Sequence, residues 1–329
     1  MDLDAFAAVH APQWDRLDRL SRRRRLSGAE VDELVRLYRS VATDLSTVRS
    51  AAPDPLTVMR LSQLVGRAHA RLAGTHVPAW EQAGRFLRVS FPAALYRIRW
   101  WTVAVMVAFL VVAVATGWHL AVHDDLRNAV MSPADQQQYV DSMFAQYYDP
   151  GAGFAAMVWT NNAWIAAVCV ASGITGVGPV LMLAQNAVGV GEVGAVMAVH
   201  GELGLFFQLI SPHGLLELTA IFVAGAAGLR IFWAWIAPGP RPRSRALAEE
   251  GRALFTVALG LVLVLAVSGL IEGFVTGSTL PWPVKTTIGA VALAGFWAYT
   301  LVLGGRAAAL GETGDLAPDR AGYAVATAG

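Results

Sequence analysis

The run WTVAVMVAFLVVAVATGWHLAV, residues 101–122, constrains the fold more than any other feature, because it contains no Asp, Glu, Lys or Arg. As a helix it is long enough to cross the roughly 30 Å hydrocarbon layer of a bilayer. The whole chain shares this character, since 55% of its 329 residues are hydrophobic, only 15% are charged, and its mean hydropathy is +0.48. The sequence therefore predicts an all-α, polytopic membrane protein and excludes an ordinary soluble domain.

Basic residues divide the chain into unequal parts. Of the 25 Lys and Arg residues, 16 precede Trp100. Residues 1–99 are therefore predicted to form a cytoplasmic, Arg-rich helical module, followed by a transmembrane domain over 100–305 and a disordered cytoplasmic tail over 306–329. The last part of the module, 80–101, mixes arginine with aromatic residues and is predicted to lie at the membrane surface as a helix.

Two amphipathic helices are predicted within this module. Ser27 and Glu30 have the spacing of a capping box, and the apolar residues that follow recur at helical intervals until about Ala52. A further helix is predicted from about Pro55 to Leu72. Its expected apolar stripe comprises Leu56, Met59, Leu64 and Ala68.

Six membrane spans are predicted along the rest of the chain. The acidic loop 123–153 is expected outside, because the arginine-rich segments on either side of it belong in the cytoplasm, as do both termini. The third span is Gly-rich and carries Asn186 and Glu192, so the sequence leaves open whether it crosses or forms a re-entrant pair of half-helices, which would reduce the spans to four. The predicted spans cover about 101–122, 154–175, 178–199, 213–236, 253–275 and 284–304.

Ionisable side chains within the spans are the candidate functional residues, because each costs roughly 2.5–3.5 kcal/mol near the bilayer centre on insertion scales. His213 and Glu217 are four residues apart and share a helix face, and the topology puts Glu272 at a similar depth. Ser211 and Pro212 are predicted to begin the helix that carries the first pair. The other polar candidates are Asn161, Asn162, Asn186, Glu192, His200 and Glu202.

Two interpretations of these residues stay open. Glu217, together with His213, Asn161 and Glu272, either locks helices to one another or holds a proton, ion or polar ligand. Catalysis is not predicted, since the sequence has no H-E-x-x-H, Walker A or G-x-S-x-G motif. One histidine with scattered glutamates supplies too few grouped ligands for a typical zinc site. Cys169 is the only cysteine. No cofactor and no metal are therefore expected.

Membrane lipid, other envelope or membrane proteins and a second copy of the chain are the expected partners. Faces of small residues favour close helix packing, and their abundance favours a homodimer; one such face comprises Ala224, Gly225, Ala227 and Gly228. Nucleic acid is not an expected partner, because the net charge is only +1 and the basic run from Arg22 to Arg25 is interpreted as a solvated helix end.

The stretch SPHGLLELTAIFVAGAAGL, residues 211–229, resembles the signature of the stage II sporulation protein M family of bacterial membrane proteins. Three further stretches are similar to the family: ELVRLYRSVATDL at 33–45, the Asn pair of WTNNAW at 159–164, and IEGFVTG at 271–277. The resemblance implies a multi-pass protein of the bacterial cytoplasmic membrane. It also implies that the motif positions are Asn161, Asn162, His213, Gly214, Glu217 and Glu272.

What the resemblance implies about function is limited to a role in the envelope. The sporulation member of the family is described as a membrane component of a complex with cell-wall-degrading proteins, and the long Arg-rich module of this chain resembles the actinobacterial form of the family. A non-enzymatic subunit that scaffolds a cell-envelope complex is therefore implied, with module 1–99 binding a soluble partner and loop 123–153 facing extracytoplasmic proteins. The alternative is a membrane transporter or channel that uses the Asn/His/Glu cluster.

Overall fold

The computed structural model describes residues 3–23, 26–51, 54–72, 79–143 and 152–315. All regular elements within these ranges are helices, which confirms the predicted all-α class. Contacts divide the chain after Gln82 into two compact units. Three predicted features fall wholly or partly outside the described residues, namely Arg24 and Arg25 of the basic run, 144–151 of the acidic loop, and 316–329 of the tail.

The N-terminal unit is a bundle of three helices, α1 (Leu3–Arg22), α2 (Gly28–Ala51) and α3 (Pro55–Leu72). The bundle has its own buried core, and the Trp14 indole N–H donates a buried 2.8 Å hydrogen bond to Asp44 Oδ2. Core residues contributed by all three helices are Trp14, Leu17, Leu20, Leu34, Leu37, Val41, Leu45, Val48, Leu61, Leu64 and Ala68.

The predicted capping box begins α2. The Ser27 backbone N–H donates to Glu30 Oε2 at 2.9 Å, and the Glu30 backbone N–H donates to Ser27 Oγ at 3.4 Å. The hydrogen bond from the Ser27 backbone holds the pKa of the Glu30 carboxyl below its usual value. The prediction for the stripe of α3 is only half right, because Leu56 and Met59 are 71% and 54% exposed.

The second unit contains the long apolar helices. A short helix α4 (Ala79–Arg85) continues through one π-helical turn, Phe86–Ser90, into α5 (Phe91–Val122). The predicted surface helix over 80–101 is therefore not a separate element: it is continuous with the first span, and its residues Phe91, Leu95 and Ile98 are buried in the core of this unit.

The described part of the acidic loop is also helical. It forms α6 (Asp124–Val130), α7 (Pro133–Gln138) and a π-helical turn, Tyr139–Met143. Arg127 Nη1 donates to the Leu120 carbonyl at 3.0 Å, which satisfies an acceptor at the end of α5.

The remaining long helices follow one another through short turns. They are α8 (Ala152–Ala171), α9 (Val177–Val199), α10 (Leu203–Ile236), α11 (Arg243–Ile271), α12 (Trp282–Ala298) and the short α13 (Gly304–Ala309). Helix α11 ends in a π-helical turn at Glu272–Thr276, and α12 ends in another at Tyr299–Leu303.

Five helices within the described residues are long and apolar enough to cross a membrane. They cover Trp80–Val122, Val177–Val199, Leu203–Ile236, Arg243–Thr276 and Trp282–Ala309. The remaining predicted span, the second along the chain at about 154–175, corresponds to α8, which adjoins the undescribed segment and has 20 residues without Asp, Glu, Lys or Arg. At 1.5 Å per residue α8 is about 30 Å long, so six crossings stay a prediction that its length permits.

The structure decides one open alternative in the middle of the chain and corrects one expectation. The predicted span over about 178–199 is one continuous helix, α9, which is long and apolar enough to cross a membrane and is not a re-entrant pair of half-helices. The helix that follows begins at Leu203 rather than at Ser211, so Pro212 lies in its interior and Ser211 does not cap it. The chain turns instead at Gly201, which has a φ of +81°, because a glycine accepts the left-handed conformation that this turn requires.

Helix α10 is the centre of the second unit. It contacts each of the other long helices, α5, α8, α9, α11 and α12, and every residue from Thr219 to Gly228 is buried. Close approach depends on glycine here, since a Cβ added to Gly228 would lie 2.4 Å from the Cys169 carbonyl oxygen of α8 and one added to Gly225 would lie 2.6 Å from a Leu183 methyl group of α9. The small-residue face predicted from the sequence is therefore a packing face.

The predicted disordered tail is wrong for residues 306–315. Helix α13 covers the first of them, and the following segment is held by Arg252, which donates to Asp315 at 2.5 and 2.9 Å. The Thr256 hydroxyl donates to the Gly314 carbonyl at 2.9 Å. These contacts give the segment fixed partners on α11, which its Gly- and Ala-rich composition did not indicate.

Two glycine variants test the packing of α10. Gly228→Ala is expected to destabilise the protein by about 1–3 kcal/mol, because overpacking forces the backbone of α8 away. The matched control is Gly295→Ala on α12, where an added Cβ would meet no atom within 4 Å. Thermal unfolding of the detergent-purified protein should give a lower Tm for the first variant only, and equal Tm values for both would contradict this packing.

Candidate functional site

The candidate site lies where α10 meets the end of α11. His213 and Glu217 are on α10, Ser268 is on α11, and Glu272 and Thr276 belong to the π-helical turn that extends α11. His213 and Glu217 are four residues apart on α10. Along α11 and its π-helical turn, Ser268, Glu272 and Thr276 also follow one another at intervals of four residues. Each segment therefore presents its polar side chains on one side. A π-helical turn widens the helix locally and is frequent at functional sites.

His213 makes the contacts that join the two segments. Its Nδ1 lies 3.1 Å from Thr276 Oγ1, and its Nε2 lies 3.6 Å from Glu272 Oε1. The Ser268 hydroxyl donates to the His213 carbonyl at 3.1 Å. The exposed fraction is 4% for His213 and 2% for Glu272, and Ser268 and Thr276 are also buried. The imidazole is thus fixed at both ring nitrogens in a site closed to solvent.

Glu217 completes the cluster from the other side. Its carboxylate hydrogen-bonds with the side chain of Asn162 on α8, and one ligand atom from each of His213, Glu217 and Glu272 can be chosen so that all three lie within 4.8 Å of one another. Among the described residues, Glu217 Oε2 and Glu272 Oε2 are buried and accept no hydrogen bond. We name His213, Glu217 and Glu272 the carboxylate–histidine cluster.

The two asparagines predicted to belong to the site are separated. Asn162 is buried and contacts Glu217, whereas Asn161 is exposed and lines a cavity of about 560 Å³. The expected contact between Glu217 and Asn161 is therefore wrong. Successive residues of an α-helix point about 100° apart, so Asn162 reaches Glu217 while Asn161 points into the cavity.

The secondary candidates lie outside the cluster. Asn186 lines the same cavity as Asn161, and its side-chain amide donates to the Met182 carbonyl at 2.8 Å. Glu192 is half-buried on α9. His200 Nδ1 lies 2.8 Å from the Val196 carbonyl at the end of that helix, and Glu202 is exposed just before α10. Gly214 is buried beside His213, where an added Cβ would lie 3.0 Å from Ile210 Cγ1.

Three residues that contribute to the site were not predicted from the sequence. Ser268 and Thr276 bind His213, and Lys285 Nζ donates to the Thr276 carbonyl at 2.7 Å. The spacing of Ser268 and Thr276 could have indicated their role. They lie four residues before and after Glu272 and so share its helix face. Lys285 gave no such signal, because it belongs to another helix.

A second buried ionic group lies elsewhere in this unit. Glu250 is 3% exposed and accepts hydrogen bonds from Arg97 Nη2 at 2.6 Å and from Arg230 Nη2 at 3.4 Å. It joins α5, α10 and α11, and it pairs both of its carboxylate oxygens with arginine. Unlike the carboxylate–histidine cluster, it has no unpartnered carboxylate oxygen among the described residues, and we interpret it as a structural tie.

A double-mutant cycle tests whether His213 and Glu272 act as a unit. Removing one partner of a buried pair typically costs roughly 3 kcal/mol or more because the other is left buried. His213→Leu and Glu272→Met should each lower the free energy of unfolding, and the double variant should lose at least about 1 kcal/mol less than the sum. The measurement is reversible unfolding in mixed micelles.

The control cycle combines His213→Leu with Glu192→Met, since Glu192 lies outside the cluster. The effects of this pair are expected to add within about 0.5 kcal/mol. Additive effects for the His213 and Glu272 pair as well would contradict the contact.

The matches to known families follow the division of the chain into two units. The family model for Stage II sporulation protein M matches residues 105–277, more than half of the chain, and this range contains the whole carboxylate–histidine cluster. A second model, named Domain of unknown function (DUF8413), matches residues 4–74 of the N-terminal bundle. No curated protein and no solved structure matches the chain. The chain belongs to the stage II sporulation protein M family of membrane proteins.

Proposed function

We propose that the protein is a non-enzymatic subunit of the bacterial cytoplasmic membrane that scaffolds a cell-envelope complex. One observation carries the proposal: the N-terminal bundle α1–α3 is a compact helical unit with a hydrophobic core of its own, in a chain whose long helices after it are apolar. A unit that buries its core without the membrane helices is able to present a surface to a soluble partner. This surface is the proposed docking site.

The first turns of α3 supply the best candidate contact for that partner. Leu56 and Met59 are three residues apart, so they lie on one helix face, and both are largely exposed. Arg60 lies beside them and pairs with Asp15 at 3.2 Å across the bundle. An apolar pair with a charged rim is typical of a protein-binding surface. The proposed partner is a cytoplasmic protein.

The orientation in the membrane is part of the same proposal. Arg97, Arg230 and Glu250 join the start of α5, the end of α10 and the start of α11, which groups basic residues at one end of the helices. The excess of arginine there favours the cytoplasmic side. Both termini would then be cytoplasmic, and the acidic loop 123–153 would face extracytoplasmic envelope proteins.

Site-specific cross-linking in living cells tests the docking surface. A photoreactive amino acid at Leu56 should form cross-links to a cytoplasmic protein. That protein should co-purify with the full chain, and deletion of residues 1–82 should abolish the co-purification without loss of membrane insertion. Leu56→Ser combined with Met59→Ser should reduce cross-linking from a nearby position such as Ser62 by at least about tenfold if the pair supplies roughly 1.4 kcal/mol of binding.

The matched control for these variants is Val9→Ser, because Val9 is equally exposed at 71% but lies on α1. It should leave the cross-links unchanged. Cross-links that are unaffected by the Leu56 and Met59 substitutions would place the partner elsewhere. Co-purification of the cross-linked protein that is unchanged by deletion of residues 1–82 would overturn the proposed scaffold.

A second candidate function, transport of a small solute or ion, is favoured by a cavity with polar side chains between the membrane helices. This cavity of about 560 Å³ lies between α8, α9 and α10 and carries the side chains of Asn161, Gln185 and Asn186. Polar groups that line a cavity within membrane helices are a common feature of transport sites.

Flux measurements on the reconstituted protein test this candidate. Transport by the protein in liposomes should depend on pH and should be lost in Glu217→Gln, because the carboxylate is then unable to exchange a proton. Glu192→Gln serves as the control and should retain flux. Equal leakage from empty liposomes and from liposomes that contain the protein, over a panel of ions and small solutes, would exclude the candidate.

A further inference from the structure

Three potential ligand atoms converge within the carboxylate–histidine cluster. They come from two different segments, with His213 and Glu217 on α10 and Glu272 in the π-helical turn after α11, and they lie within 4.8 Å of one another. The sequence alone favours no metal site, because it shows one histidine and scattered glutamates. The fold changes this assessment by placing an imidazole and two carboxylates around one point.

Hydrogen bonds outside the cluster orient the side chains toward that point. With the proton on His213 Nδ1, this nitrogen donates to Thr276 Oγ1 at 3.1 Å, and the lone pair of Nε2 then faces Glu272 Oε1. Asn162 holds the Glu217 carboxylate from α8. Such outer partners fix the tautomer of a metal-binding histidine and the direction of metal-binding carboxylates.

Two buried oxygens point to a ligand independently of the convergence. Within the described residues, Glu217 Oε2 and Glu272 Oε2 are buried without a hydrogen-bond partner, although buried carboxylate oxygens are normally paired. Glu272 as a whole is 2% exposed, so solvent does not supply the missing partner. A bound cation supplies the kind of partner that unpaired carboxylate oxygens lack.

The spacing of the atoms fits coordination to a small ion. Zinc binds nitrogen and carboxylate oxygen at about 2.0–2.2 Å, so two ligands in a tetrahedral site lie roughly 3.4 Å apart. The measured separation of His213 Nε2 and Glu272 Oε1 is 3.6 Å. A carboxylate oxygen of Glu217 also lies within 4.8 Å of the ligand atoms of His213 and Glu272.

We propose that His213, Glu217 and Glu272 bind one divalent transition-metal ion, with zinc the best match. Two carboxylates and a doubly charged ion sum to zero, which removes the cost of burying two negative charges between membrane helices. A mixed nitrogen and oxygen ligand set favours zinc and its transition-metal neighbours over calcium and magnesium, which prefer oxygen alone. Three protein ligands leave the fourth tetrahedral position to water.

Elemental analysis of the full-length protein tests the proposal. The protein is purified in detergent through an affinity tag without histidine, from cells grown with added zinc, and is dialysed against metal-free buffer. About one zinc ion per chain is expected for the parent protein. His213→Ala and Glu272→Gln should each weaken zinc affinity at least about tenfold, which is the lower limit typical for loss of a group that supports a metal site. Dialysis against a graded series of chelator concentrations should therefore remove zinc from both variants before it removes zinc from the parent protein.

Matched controls and a second measurement cover variants that fail to fold. His200→Ala and Glu192→Gln change the same residue types on α9 outside the cluster and should retain the metal. Cobalt added to the chelator-stripped parent protein should give visible absorption bands of a bound ion, and stripping should lower the Tm, which added zinc should restore.

Three results would refute the metal site. A parent protein with less than about one tenth of a metal ion per chain, no cobalt bands and an unchanged Tm after chelation would refute the site. So would metal content that is equal at every chelator concentration in the parent, His213→Ala and Glu272→Gln proteins, or selective binding of calcium or magnesium. These outcomes leave the cross-linking test of the scaffold unaffected, because it depends on the N-terminal unit.

Discussion

A carboxyl group between membrane helices must find its partners within the protein, because no water is present in the hydrocarbon layer to supply them. The second unit meets this constraint at the contact between α10 and the π-helical end of α11, where His213 bridges Thr276 and Glu272. Helix α10 is buried along Thr219–Gly228 and contacts every other long helix. The arrangement of α10 therefore decides which polar groups meet.

Local features of the fold were predictable from the sequence. The capping box at Ser27, the uncharged first span and the small-residue face around Gly225 and Gly228 each depend on residues close together in the chain, and the structure contains all three. The face shared by His213 and Glu217 follows from helix geometry in the same way.

Features that depend on packing between elements were not predictable. Which of Asn161 and Asn162 faces Glu217 is decided by the rotation of α8 about its axis, and the sequence does not specify that rotation. Helix α10 begins at Leu203 although Pro212 has the character of a first-turn residue, because its apolar residues before Pro212 continue the helix. Arg252 holds Asp315 through a contact 63 residues apart in the chain, so composition alone misassigned that segment.

The two units differ in where they place apolar and polar side chains, and family membership alone does not specify this difference. The N-terminal bundle has a closed core and an exposed apolar pair, Leu56 and Met59, whereas the membrane unit concentrates its buried polar groups at Glu250 and at the carboxylate–histidine cluster. Both carboxylate oxygens of Glu250 pair with arginine, and this group ties helices together. The second retains two unpartnered carboxylate oxygens among the described residues, which is why we assign a ligand to it.

The central claim is that His213, Glu217 and Glu272 meet in one buried site, and a high-resolution electron cryomicroscopy map of the protein in lipid nanodiscs, bound to a rigid antibody fragment, tests it most directly. We predict that the His213 and Glu272 side chains approach within about 4 Å, with Asn162 on Glu217 and density for an ion between the three ligands. Side chains of His213 and Glu272 that point apart, or a Glu272 that faces lipid, would contradict it.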